Sequence, residues 1–173
     1  MKRLLCCIAL VALAGAAVSA DILVATGYSS EADPAKAVSE AAQVAKDALG
    51  GEAKLVLLFD SLADDQAAKD ALMAGAAGVF AKALINGCAS YNPLTRENNT
   101  GTVGVLALGG DIDATVAISD LEGGHQACGK RIGDALKASA DAAIDKGRLL
   151  ILFGACHVPL DNDLVRGVGQ GLG

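Results

Sequence analysis

Residues 55–59 read Leu-Val-Leu-Leu-Phe, and residues 149–153 read Leu-Leu-Ile-Leu-Phe. Neither stretch alternates polar with apolar residues. A strand of that kind is covered on both faces and belongs in a sheet interior. Upstream of the first, Asp33-Pro34 opens a helix, since Asp caps and Pro fits the first turn. Ala-rich helical sequence then runs to Leu49, and Gly50-Gly51 stops it. Ile22–Thr26 precedes this helix as a short strand. Downstream, Asp64 or Asp65 opens a second helix, which reaches about Ala81. Strand, helix, strand, helix is the order of an α/β fold.

Leu84–Ser90 and Thr102–Leu108 read as the next two strands. The polar stretch 92–101 between them ends in Asn98-Asn99-Thr100-Gly101, which is turn chemistry. The natural expectation is a hairpin. Ala114–Ser119 reads as a further strand. A helix follows from about Cys128 to Lys146, then Leu149–Phe153, then a helix from Asp161 towards Gly173. The fold class expected is α/β, with repeated βαβ units, layered helices and sheet, and one hairpin insertion.

The second part repeats the first. Shifted by 94, residues 20–59 fall on 114–153 without a gap. Lys36 meets Lys130, Ala41 meets Ala135, and Asp47-Ala48 meets Asp141-Ala142. Leu55, Leu58 and Phe59 meet Leu149, Leu152 and Phe153. Internal repetition of a supersecondary unit is a strong constraint on architecture. The second copy would reach its own LINGCAS-like strand near position 178, so the chain is expected to be a fragment of a longer protein.

Residues 1–20 read as a secretory signal peptide. Met1-Lys2-Arg3 is basic, Leu4–Ala17 is apolar, and Val18-Ser19-Ala20 places small residues before a cleavage point at Asp21. The apolar stretch is shorter than the roughly 20 residues of a membrane span. Leu13-Ala14-Gly15 lacks the cysteine of a lipoprotein box. The expectation is a protein exported to the periplasm or secreted, with no stable membrane insertion, whose single domain is 21–173. Of the 14 basic residues Lys2 and Arg3 lie in the signal, leaving 12 against 20 acidic ones. No basic stripe for nucleic acid is present. Trp is absent and aromatics are few, so no aromatic carbohydrate platform is expected.

The stretch Leu84-Ile85-Asn86-Gly87-Cys88-Ala89-Ser90-Tyr91 poses the chemical question. Beyond the signal the cysteines are Cys88, Cys128 and Cys156, and an odd number leaves at least one thiol unpaired within the chain. Their spacing matches no zinc motif, and His125 with Cys128 has no second pair. Sequence does not decide between a Cys128–Cys156 disulfide and other pairings. Cys156-His157 are neighbours on the chain and so point to opposite faces of extended backbone, a poor dyad. Cys88 with His125 or His157 remains open to nucleophilic catalysis. Gly109-Gly110-Asp111 follows a strand without a phosphate-binding pattern, and Gly123-Gly124 before a helix reads as a plain turn, with amides open to an anion as the alternative. Gly167, Gly169, Gly171 and Gly173 weaken the last helix. The form Asn98-Asn99-Thr100 is a glycosylation sequon, idle behind a bacterial-type export signal.

Several stretches, in order, resemble the N-terminal FIST domain, a prokaryotic sensory module. They are Ala25-Thr26-Gly27-Tyr28-Ser29-Ser30, Leu55–Ser61, Gly87-Cys88-Ala89-Ser90 and Gly101–Leu108. The resemblance spans about 21–173. It implies a small-molecule ligand, amino acids or related compounds, and a signalling partner. It also implies a C-terminal FIST part outside this chain, and no cofactor. FIST domains are usually cytoplasmic and joined to signalling domains, whereas this chain begins with an export signal. The pocket is expected at strand ends, with Ser29, Ser30, Asp60, Ser61, Cys88 and Ser90 as ligand-binding candidates, small residues leaving room. An exported cysteine hydrolase or transferase using Cys88 is the alternative, and a structural or assembly module is a third.

Overall fold

The computed structural model describes residues 21–62, 65–90, 102–139, 149–153 and 161–173. The expected signal peptide, the 92–101 loop, Tyr91, Cys156 and His157 lie outside the described residues. The elements are β1 (Ile22–Ser29), α1 (Pro34–Leu49), β2 (Ala53–Asp60), α2 (Gln66–Val79), β3 (Leu84–Ala89), β4 (Val103–Gly110), α3 (His125–Ser139) and α4 (Asp161–Leu172). The fold is α/β, with helices layered on a mixed four-stranded sheet.

Local chemistry sets the helix ends. Asp33 Oδ1 accepts from Lys36 N at 2.9 Å, Pro34 fills the first turn, and Gly50 closes α1 in the left-handed region. Asp65 does the same for α2, accepting from Ala68 N at 2.8 Å. Of the two aspartates read as candidate starts, Asp65 is the cap.

The sheet order is β1-β4-β2-β3. β2 and β3 pair in parallel, and β4 runs antiparallel to both β1 and β2. The expected hairpin of β3 with β4 is therefore not formed, because β2 stands between them. The reason lies in β4 itself. Its sequence, Val-Gly-Val-Leu-Ala-Leu-Gly-Gly, carries no charge, and its side chains are buried or half-buried throughout. Such a strand gains most in an interior slot, and the slot between β1 and β2 covers it on both edges. β1 and β3 are the edges.

Register divides the sheet into two faces. Ala25, Val56, Leu58, Val103, Val105 and Ala107 point to α1 and α2 and form the core with Val38, Ala41, Leu72 and Phe80. Close approach is built in: a Cβ at Gly27 would strike the backbone of Ala41 and Ala45 in α1. The second face is built from cross-strand rows. One row is Val24, Leu108, Leu55 and Leu84; the next is Thr26, Leu106, Leu57 and Asn86; the third is Tyr28, Gly104, Phe59 and Cys88. Neither α1 nor α2 covers this face, and Ile22 and Val24 on it remain 61% and 58% exposed. Phe153 reaches it, packing edge-on against Phe59 with ring centroids 5.9 Å apart.

The second half differs from its reading. Ala114–Ser119 and Leu149–Phe153 are described but form no strand. β1 and β2, their counterparts in the first copy, do not pair with each other; both pair with β4. Among the described residues no strand stands in that role for 114–119 and 149–153. The helices do form, α3 beginning at His125 rather than about Cys128, while the expected stretch from 140 to Lys146 lies outside the described residues. α3 and α4 pack on each other and make little contact with the first half. Glycines bring them together. A Cβ at Gly129 would meet Leu164 O, one at Gly133 Val168 O, one at Gly167 Gln126 O, and one at Gly171 Lys130 O. The Gly-rich segment that weakened the expectation of a last helix is thus helical because its glycines admit a neighbouring backbone, which offsets their cost in propensity.

Candidate functional site

β1, β2 and β3 run in one direction, so their carboxyl ends lie at one end of the sheet, where open α/β sheets bind ligands. β4 enters from that same end. Its preceding residue, Thr102, ties the strand ends together. Thr102 N donates to Ser29 O at 2.7 Å, and Ser61 N donates to Thr102 O at 2.9 Å. Thr102 Oγ1 lies within hydrogen-bonding distance of Glu31 O at 2.7 Å and Ser29 O at 3.2 Å. Ser90 N donates to Asp60 O. The backbones of Ser29, Asp60, Ser61 and Ser90 are thereby brought to one end of the sheet. The sequence did not single out Thr102 for this role. The signal was only its place before an apolar strand.

The side chains do not all converge. Ser29 is buried and faces α1, where its Oγ donates to Glu40 Oε2 at 2.6 Å and accepts from Glu31 N at 3.1 Å. Asp60 is buried on the same face, and its Oδ1 accepts from Leu62 N at 3.2 Å, an Asx turn. Ser61 Oγ donates to Thr102 O at 3.3 Å. These three groups are engaged in holding the strand ends. Ser30, by contrast, is exposed and Ser90 half-buried, and their hydroxyls make no hydrogen bond among the described residues.

Cys88 lies on the other face of the sheet. The register sets it beside Phe59, in the row that continues through Gly104 to Tyr28, and it is half-buried. Asp60, two positions on from Leu58, faces α1 and α2. Alternation along the strands thus sets the thiol and the Asp60 carboxylate on opposite faces of the sheet. Cys128 is buried near the start of α3, with Sγ 3.7 Å from Ser119 O. The buried Nε2 of His125 has no hydrogen-bond partner among the described residues, so no thiol there is bonded to it.

Among the described residues, no group of three or more His, Cys, Asp or Glu is placed to hold a metal ion. No described helix is long and apolar enough to cross a membrane. Neither a protein-family model nor a curated protein matches the chain.

Proposed function

We propose that this chain is an exported small-ligand-binding module of the FIST kind, with no catalysis of its own. Its ligand is an amino acid or a related small molecule, and it reports to a signalling partner. The observation that carries the reading is the set of hydroxyls at the carboxyl ends of the sheet. Ser30 and Ser90 have no protein partner among the described residues, while Ser29, Asp60, Ser61 and Thr102 are occupied in fixing the backbone that presents them. A ligand with a carboxylate can accept hydrogen bonds from such hydroxyls and from backbone amides of the same turns.

Thermal unfolding of the full chain against a panel of amino acids and small organic acids tests this. A ligand present at a hundred times its Kd adds about 2.7 kcal/mol and raises the midpoint measurably. Ser30→Ala with Ser90→Ala is expected to remove the shift and leave the unliganded midpoint within about 0.5 kcal/mol of the parent. No shift with any compound, or a shift that survives both substitutions, overturns the proposal.

A further inference from the structure

β1 is an edge strand without the usual guards. It pairs with β4 alone. Asp111 N donates to Asp21 O at 3.0 Å, so in this antiparallel pair the odd-numbered residues of β1 turn their backbone groups to β4. The even-numbered ones, Ile22, Val24, Thr26 and Tyr28, turn theirs outward, where they make no hydrogen bond among the described residues. Natural edges are guarded by charge, proline, a bulge or a covering element. β1, Ile-Leu-Val-Ala-Thr-Gly-Tyr-Ser, has no charge and no proline, and its eight pairs with β4 run without a shift of register. The side chains of Ile22, Val24 and Thr26 are exposed along it. β3, the other edge, is six residues long to the eight of β1.

The helix layer beside this edge is apolar as well. Gly27 lies against Ala41 and Ala45, and Ser29 Oγ donates to Glu40, so α1 runs opposite to β1 and over it. α1 turns Ala35, Val38 and Ser39 to Gly75 of α2, away from the β1 edge. The opposite flank, by helical spacing, carries Ala37, Val44 and Ala48. Val44 is 47% exposed, and Ala48 is exposed too. Uncovered apolar residues thus lie in both layers along one side of the molecule, in the sheet at Ile22 and Val24 and in the helix at Val44 and Ala48.

We infer that this side is a dimer interface whose occupant is a second copy of the chain, with β1 pairing antiparallel to β1 of the copy about a two-fold axis at Ala25. That axis uses the whole strand. It sets Ile22 opposite Tyr28 and Val24 opposite Thr26, the residues whose backbone groups point outward. Each such pair exchanges two hydrogen bonds. One pair sets an aromatic ring beside a β-branched residue and the other sets two β-branched residues together, both favoured across strands. Ala25, with a single side-chain carbon, sits at the axis, where a non-bonded pair brings the two backbones closest. A lone strand would satisfy the backbone of β1 and leave Val44 and Ala48 uncovered. A second copy brings its own α1, so both layers close at once. The chain carries a net charge of −6, and an uncharged strand is where two copies meet with least repulsion. Eight residues of strand span about 26 Å, and a sheet with one helix layer is about 20 Å deep. Each copy therefore offers roughly 500 Å² of side, the scale of a weak, reversible dimer. The dimer does not depend on the small-ligand site at the carboxyl ends of β1–β3.

Sedimentation equilibrium of the full chain, from about 1 μM to about 1 mM, tests this, and a monomer–dimer equilibrium within that range is expected. Val24→Lys sets a charge beside Thr26 of the copy and is expected to weaken the dimer by about ten-fold or more. Val44→Lys, in the helix layer, is expected to weaken it by about three-fold or more. Both side chains are exposed, so the thermal midpoint of each variant at low concentration reports that the monomer is still folded. If Val24→Lys lowers that midpoint, Val44→Lys decides, since it lies outside the sheet. Amide exchange followed by NMR should slow with rising concentration at Ile22, Val24, Thr26 and Tyr28, and stay unchanged in β3. A chain still monomeric at about 1 mM overturns the inference. So does a dimer that folded Val24→Lys and Val44→Lys chains form as tightly as the parent, or concentration-dependent protection that falls on β3 or on α3 and α4 instead of β1.

Discussion

The chain builds two helix pairs at nearly the same interval and supports them by different means. α1 and α2 rest on a sheet, and α1 presents Ala37, Val38, Ala41, Ala42 and Ala45 to it with no exposure at all. α3 and α4 rest chiefly on each other, through Gly129, Gly133, Gly167 and Gly171. The first pair is stabilised by area removed from water between the helices and one face of the sheet. The second is stabilised by dispersion at close backbone approach, which works only while the two helices stay in register. A helix pair with little sheet contact among the described residues can still hold together, provided the helices can touch without side chains between them.

The sharpest way to break this contrast is at Gly27. A side chain there meets the backbone of Ala41 and Ala45, and neither can yield without moving α1 off the sheet. Gly27→Val is expected to cost about 3 kcal/mol or more, since overpacking against backbone exceeds the usual range. Urea denaturation should show the loss in the main transition. Gly167→Val tests the other side. Its Cβ falls on Gln126 O, so α3 and α4 must part, at about 2 kcal/mol. Because this pair contacts the sheet so little, amide exchange should quicken in α3 and α4 and stay slow in β1 and β4. If protection is lost equally in both halves, the two pairs are one cooperative unit and the contrast fails.

The caps give a smaller and more even test. Asp33→Ala and Asp65→Ala each remove one side-chain acceptor from a first helical turn. Each is expected to cost about 1 kcal/mol, read from the denaturation midpoint. Both helices belong to the first half, so the two losses should appear in one transition. A loss confined to a separate, earlier transition would mean that α1 and α2 do not share the sheet's cooperativity.

What the sequence made legible follows the range of each signal. Asp33-Pro34 and Gly50 are local, and α1 begins and ends where they say. The apolar run at 55–59 is local too, and it lies within β2. Strand partners are not local. Nothing in 103–110 names β1 and β2 as neighbours; only its lack of polar residues asks for an interior slot, and a hairpin with β3 was the shorter connection. Strands also need partners in a way that helices do not, since helix hydrogen bonds close within the segment. That is why helices form over His125–Ser139 and Asp161–Leu172, close to the expected positions, while 114–119 and 149–153 form no strand. The alternating glycines misled because propensity counts their entropy and not the neighbour they admit. At the candidate site, sequence located the strand ends that carry Ser29, Asp60, Ser61 and Ser90. It did not part Cys88 from Asp60, because the face a side chain takes follows from register.

The smallest effect tests the ring contact that links the two halves. Phe59 and Phe153 meet edge-on at 72° between ring planes, a favoured arrangement for aromatic pairs. A double-mutant cycle with Phe59→Ala and Phe153→Ala is expected to give a coupling of about 0.5–1 kcal/mol. Single truncations remove area as well, so only the coupling speaks for the contact. Exchange at 149–153 is the readout. A coupling near zero, with exchange there unmoved by either truncation, would mean that the second half is tethered to the first by the chain alone.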